Sequence, residues 1–293
     1  RHCDLLAVTT VHGNASLANT TRNALAVLEL AGIDVPVAAG HASALVHDTV
    51  DATDIHGKSG LDGADIPPPT RKIIETHAVD LLIETARQHQ SELVLAPVGP
   101  LTNVAAAIKR EPRLAGWLRE ITLMGGSTTL GNITPAAEFN IYADPEAAHV
   151  VFECGAPIRM AGYNVTRVTG FDASDIARMR DSGRRTAGVM ADLMGHYLKR
   201  QGEVFGLSVA PMHDVCAIVP YLDESLLTYH ETTVRVEMVG THTRGMTVCD
   251  MRGARSGATR TIQGAGRANA RVAVASDARR LIGHVVDAIL TYP

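Results

Sequence analysis

The sequence predicts an α/β fold, a mostly parallel β-sheet with helices on both faces, as one domain over residues 1–293. Three observations lead there. Asp4–Val11 (DLLAVTTV) is a near-continuous apolar and β-branched run, the pattern of a strand buried on both faces. Between residues 76 and 161, short apolar runs alternate with stretches of helical periodicity, the order that a parallel sheet with crossover helices requires. No internal repeat, low-complexity segment or linker divides the chain.

The elements follow in order. Ser16–Ala31 puts Leu17, Ala24, Val27, Leu28 and Ala31 at helical spacing, and Gly32 closes the helix. Val35–Ala39 reads as a second short strand. Residues 40–70 form a polar loop rich in Gly and Asp that ends in Pro67-Pro68-Pro69; connectors of that length are often functional. Next come a helix from Thr76 to about His89, a strand Leu93–Pro97, a helix from Leu101 to about Lys109 and a strand Ile121–Met124. A helix Pro145–Glu153, opening after Asp144, precedes the strand Ile158–Ala161. Beyond residue 170 helices dominate, until Thr233–Met238, Met246–Asp250 and Arg271–Ala275 read as strands and Asp277–Leu290 as the closing helix. Ligands of such sheets sit at the carboxyl ends of the strands.

Composition removes several classes of function. With 27 basic and 31 acidic residues the formal charge is -4, and no basic block is present to track phosphates, which excludes nucleic acid as a partner. No apolar run approaches the roughly 20 residues needed to cross a bilayer, so no membrane association is expected. Cys3, Cys154, Cys216 and Cys249 lie far apart without metal-site or redox spacing, and are expected to be reduced thiols of a cytoplasmic protein. The chain starts at Arg1, not Met.

The chemistry concentrates in segments that follow or face strand ends: TTVHGN (Thr9–Asn14), IHGKSGL (Ile55–Leu61), LMGG (Leu123–Gly126) and MHD (Met212–Asp214). With Gly131-Asn132 and Ala137–Asn140 they assemble amides, carboxylates and imidazoles suited to gripping a polyhydroxylated ligand such as a sugar. Each also has a purely structural reading. Asp214, before a helical stretch, could be only an N-cap. His12 and His56 could be hydrogen-bonded structural histidines, Gly125-Gly126 a backbone turn, and Cys216 and Cys249 small buried residues. Gly264–Asn269 mimics the start of a dinucleotide fingerprint but lacks its third glycine and the helix that should follow, so it reads as a loop.

The strings TTVHGN, HGKSGLDG, APVGPLTN, LMGG, GNITPAAEFNIYADPEAA and MHDVCA, in this order and spacing, resemble the inosine-uridine preferring nucleoside hydrolases. The resemblance runs from about Asp4 to the last helix and implies a Rossmann-like architecture. The activity it implies is hydrolysis of the N-glycosidic bond of ribonucleosides to base and ribose, through an oxocarbenium-like transition state. It further implies a Ca²⁺ ion that binds the ribose hydroxyls and activates a water. Asp214 matches the carboxylate that ligates Ca²⁺ and contacts the ribose, and Val98 matches a backbone-carbonyl ligand, a position where the family often carries Thr. Asn14, Asn132, Glu138 and Asn140 match the ribose grip, and Met124 lines the same pocket. His213 matches the acid that protonates the leaving base, and His56 lies on the loop near the base. Purine-selective relatives stack the base on tryptophans. The one tryptophan here, Trp117, lies outside the pocket strings, which leaves Tyr163, Tyr197 and Phe205 as candidate walls and favours a pyrimidine or broad specificity. A homodimer or homotetramer is expected from the same resemblance.

One departure matters. The family opens with a strand ending in Asp-x-Asp-x-x-x-Asp-Asp, about 20 residues ahead of the position of Asp4, and this sequence does not contain it. That motif supplies the general base, two Ca²⁺ carboxylates and a ribose contact. The domain is therefore expected to be N-terminally incomplete, with a gap in its sheet, and the chain as it stands to lack nucleosidase activity and Ca²⁺ stabilisation, unless Asp54, Asp62 or Asp65 of the long loop take over. The alternatives are a shortened homologue that binds nucleosides or related polyols without cleaving them and, on fold alone, a dinucleotide-dependent oxidoreductase.

Overall fold

The computed structural model describes residues 3–50, 57, 59–252 and 266–293. At its centre is a five-stranded sheet of order β3-β4-β5-β11-β8. β3 (Val94–Leu95), β4 (Glu120–Met124), β5 (Ile158–Ala161) and β11 (Ala270–Ser276) run parallel, and β8 (Leu227–Thr232) closes one edge antiparallel to β11. β1 (Val8–Thr10) and β2 (Val37–Ala39) form a separate parallel pair. Among the described residues no ladder joins that pair to the larger sheet.

The expected β-α alternation holds. α1 (Leu17–Leu30) begins where the Ser16 hydroxyl accepts the Asn19 N–H and ends at Gly32, whose φ of +68° is the left-handed geometry that glycine adopts freely. α2 (Ala78–Gln88) and α3 (Thr102–Arg110) flank β3, and a short α4 (Leu114–Trp117) leads into β4. After β4 come α5 (Phe139–Ala143) and α6 (Pro145–Phe152). α6 starts at Pro145, with the Asp144 carboxylate accepting from the Ala147 N–H. Past β5, α7 (Tyr163–Thr166) and α8 (Ala173–Asp181) precede the long α9 (Arg185–Phe205). β6 (Gly170–Phe171) pairs with β7 (Ala210–Pro211), which delivers the chain to α10 (Val215–Ile218).

The strands alternate their side chains between two cores, as a period of two demands. Ile121, Leu123, Ile158, Met160 and Val272 enter one cluster with the helices α2, α3 and α6. Met124, Ala161 and Ala273 enter the other, with α8, α9 and α11 (Ala278–Ile289).

Two expectations need correcting. The strand expected over Asp4–Val11 is only Val8–Thr10, because β2 offers ladder partners to those three residues alone. The single strand expected over Thr233–Met238 is β9 (Val234–Val236), which pairs with β10 (Thr247–Cys249), and β8 just ahead of it was not expected at all. As an edge strand, β8 carries polar and half-exposed side chains (LTYHET) where an apolar run was sought. All four cysteines are unpaired thiols. No helix among the described residues is long and apolar enough to cross a membrane.

Candidate active site

The carboxyl ends of β1, β3 and β4 converge with the segment after β7 on a cavity of about 390 Å³. Asn14, Val98, Met124, Asn132, Glu138, Asn140, His213 and Asp214, remote in sequence, all line it. His56 lies outside the described residues. Of the loop carboxylates, Asp62 reaches the cavity, and Asp54 also falls outside the described residues.

Asn132, Glu138 and Asn140 are positioned by a tight loop. Gly131 leaves no room for a side chain: a Cβ there would lie 2.3 Å from both the Ala137 and the Thr134 carbonyl oxygens. The turn brings Asn132 against the start of α5, where its Oδ1 accepts the Phe139 N–H at 2.8 Å. Glu138 is the N-cap of α5. One of its oxygens accepts from the Gly126 N–H at 2.8 Å and the Ile141 N–H at 3.3 Å. Burial pushes the Glu138 carboxyl up to about 7 against the pull of those N–H donors, and the charge of Asp214 pushes the same way. Asn140 Nδ2 donates to the Met124 carbonyl at 3.1 Å and to the Val98 carbonyl at 3.3 Å, which ties together the segments following β3 and β4.

Asp214 occupies the N-cap position of α10, yet its side chain makes no capping hydrogen bond. The structural reading of this residue therefore fails, and the carboxylate belongs to the cavity. Its surface is open to the cleft while protein crowds it on the remaining sides. That crowding pushes it up to about 7. His213 Nδ1 lies 2.7 Å from the Thr166 hydroxyl, and the ring packs against Tyr163, so its orientation is fixed from two sides. His12, by contrast, is fully buried on Thr102 and does not line the cavity, in keeping with the structural reading.

One wall was only partly foreseen. Leu193, Tyr197, Gln201 and Phe205 recur every fourth residue along α9 and present one face to the cavity, with Met194 and His196 beside them. Tyr197, Phe205 and, from α7, Tyr163 were candidates by residue type; Leu193, Met194 and Gln201 were not, because a stripe at that spacing ordinarily reads as core. Trp117 packs against the core formed with α2 and α3, away from the cavity. No lysine or arginine lines the cavity among the described residues.

For a metal, Asp214 and Val98 both line the cavity, and the Val98 carbonyl accepts from Asn140 Nδ2. Among the described residues no group of three or more His, Cys, Asp or Glu could hold an ion.

Comparison with known proteins places this geometry in context. Residues 1–283 match the family described as inosine-uridine preferring nucleoside hydrolase. The chain is 41% identical over 247 residues, 84% of its length and 79% of the relative's, to the pyrimidine-specific ribonucleoside hydrolase RihB of Escherichia coli. Its structure is similar to a purine-preferring ribonucleoside hydrolase from Gardnerella vaginalis, with a TM-score of 0.89 at 30% identity, covering 98% of this chain and 90% of that one. It is also similar to a plant nucleoside hydrolase, with a TM-score of 0.88 at 32% identity, covering 99% of this chain and 91% of that one.

Proposed function

The chain belongs to the inosine-uridine preferring nucleoside hydrolase family, and on that premise we propose that it cleaves the N-glycosidic bond of ribonucleosides with water, pyrimidine nucleosides foremost. The observation that carries this reading is the convergence of Asn14, Asn132, Glu138 and Asn140 on a cavity that is also lined by Asp214 and His213. Amides and carboxylates orient sugar hydroxyls, so that binding energy from the ribose serves the reacting carbon. His213, steadied by Thr166 and Tyr163, donates a proton to the departing base. Asp214 orients a hydroxyl of the sugar; as the bond from the anomeric carbon to the base breaks, water bonds to that carbon in its place, and the proton that the water loses passes to solvent. The cavity has no lysine or arginine among its described lining residues, so phosphate finds no charged partner there, which favours hydrolysis over phosphorolysis.

The pyrimidine preference rests on the walls and on the relatives. Tyr163, Tyr197 and Phe205 offer aromatic surface without a tryptophan among the described lining residues, and the relative 41% identical over 247 residues is described as pyrimidine-specific. The test is release of reducing sugar from uridine, cytidine and inosine, with and without phosphate. Cleavage of uridine and cytidine without phosphate is expected; strict phosphate dependence, or inosine as the sole substrate, would overturn the corresponding half of the proposal.

The described residues do not fit a complete Ca²⁺ shell. A Ca²⁺ ion takes six to eight oxygen ligands, several of them carboxylate; among the described residues the cavity carboxylates Asp62, Glu138 and Asp214 form no cluster that could hold one, and the Val98 carbonyl already accepts from Asn140. A second reading is a protein that binds nucleosides without cleaving them, for which the amides of Asn14, Asn132 and Asn140 in the cavity lining would serve. Calorimetry with uridine beside the sugar-release assay separates the two: binding without release would select the second.

A further inference from the structure

We propose that His12 is a positioning residue for ribose binding, one that acts through Thr102 and Asp144 to hold the segment carrying Asn14 in register with those carrying Val98 and Asn140. This rests on the function proposed above, because it concerns the sugar side of the same cavity.

The argument begins with the seam in the fold. β1 and β2 share no ladder with the five-stranded sheet among the described residues, so side chains must hold Asn14 in place relative to the rest of the pocket. Asn103 spans the seam at Thr10 and His41, its Nδ2 donating to the Thr10 carbonyl and its Oδ1 accepting the His41 N–H, both at 2.9 Å; nearer to Asn14, three residues span it in series. Asp144 is fully buried: one oxygen accepts from the Thr102 hydroxyl at 2.7 Å and the Leu45 N–H at 3.0 Å, the other from the Ala147 N–H at 3.0 Å. Thr102 has one hydroxyl proton, and it goes to Asp144. Towards His12 Nε2, 3.0 Å away, the Thr102 oxygen can therefore only accept. The ring thus carries its proton on Nε2, and Nδ1 is a bare acceptor, buried without a hydrogen-bond partner.

Burial disfavours the charged ring and holds His12 below the usual imidazole range, although Asp144 pulls the other way. An unpartnered buried acceptor carries a desolvation cost that a leucine packed in the same place would not. The polar contact that offsets it is the one to Thr102. The chain around it has little slack. A Cβ on Gly13 would lie 3.0 Å from Pro100 Cδ, so the backbone between His12 and Asn14 rests directly on the segment between Val98 and Thr102. Asn140, four residues before Asp144, closes the circuit by donating to the Val98 carbonyl. Loss of the His12 link would let Asn14 drift, and misplacement by about 1 Å can cost on the order of 100-fold in rate.

The test compares His12→Leu, His12→Gln and Thr102→Val in the full chain, with KM and kcat for uridine and Tm for each. Glutamine keeps an N–H that can reach Thr102; leucine does not. His12→Leu and Thr102→Val are expected to raise KM tenfold or more, and His12→Gln to stay within threefold of the wild type. A role in folding alone would lower the active fraction, and so the apparent kcat, without moving KM. An unchanged KM in His12→Leu, or equal damage from Leu and Gln, overturns the proposal. Independently of turnover, ¹⁵N spectra of the ring should show protonated Nε2 and bare Nδ1; a proton on Nδ1 overturns it too. If the wild type cleaves no nucleoside, the function proposed above falls, and ribose affinity of the wild type against His12→Leu decides the present proposal, with equal affinities overturning it.

Discussion

The rings of Tyr163 and His213 lie 5.8 Å apart at an inclination of 34°, and Arg167 sits 5.9 Å from the Tyr163 ring centre. Tyr163 is buried, and His213 is anchored at Nδ1 by Thr166. An imidazole restrained in this way has little rotamer freedom left to lose on binding substrate, which is the condition for an efficient proton donor.

His213→Ala is expected to separate substrates by leaving group. Uridine needs a proton on its departing base, whereas a nitrophenyl riboside leaves unaided, so turnover of uridine should fall by about 10²-fold or more and that of the activated riboside far less. Equal losses on both substrates would mean that His213 positions the ribose instead.

Asp214→Ala removes a carboxylate that the helix behind it does not use as a cap. Turnover of uridine should drop by several orders of magnitude, on the order of what loss of a central group costs, while far-ultraviolet circular dichroism stays unchanged. A loss of only a few-fold would return Asp214 to the helix.

Glu138 gives a pH signature in stability. Its carboxyl is held up to about 7 in the folded protein against 4.5 for the unperturbed group. Between those values the folded state keeps a proton that the unfolded state has released, so stability declines as pH rises through the window. Asp214 acts in the same direction. Denaturant melts from pH 4.5 to 7.5 should show Glu138→Gln gaining on the wild type as pH rises, by on the order of 3 kcal/mol at most. Parallel curves would show that Glu138 is not the group responsible.

Gly131→Ala tests the turn that sets Asn132. The added methyl meets backbone oxygens, which cannot swing aside as a flexible side chain could. A loss of stability on the order of 2 kcal/mol and a higher KM for uridine are expected. If melting temperature and KM both match the wild type, the loop has relaxed at no cost and its tightness does not position Asn132.

Much of this was legible in the chain itself, and the parts that were not have physical reasons. β4 and β5 could be read because buried parallel strands are written in continuous apolar residues such as Ile121-Thr122-Leu123-Met124. α6 could be read because Asp144-Pro145 states where it begins. β8 was not legible, since an edge strand covered on one side alternates and resembles a loop. In the site, Asn14 follows a strand end, whereas the roles of Asn132, Glu138 and Asn140 were implied by the family resemblance of GNITPAAEFNIYADPEAA. Leu193, Met194 and Gln201 did not stand out, because a helix facing a cavity and a helix facing a core carry the same periodicity until the opposite wall is known. The double duty of Glu138 and Asn140, which fasten Gly126, Met124 and Val98, is a matter of three-dimensional contact that no local pattern encodes.

The seam between the β1–β2 pair and the five-stranded sheet makes the substrate a mechanical component. Asn14 stands on one side of that seam, and Asn132, Glu138 and Asn140 stand on the other. On the proposed function, a ribose gripped by all four is a removable cross-brace between two separately laddered units. Amide hydrogens of Val8–Ala15 should then exchange more slowly once uridine or ribose is bound, while those of β4 and β5, already locked between neighbouring strands, keep their rates.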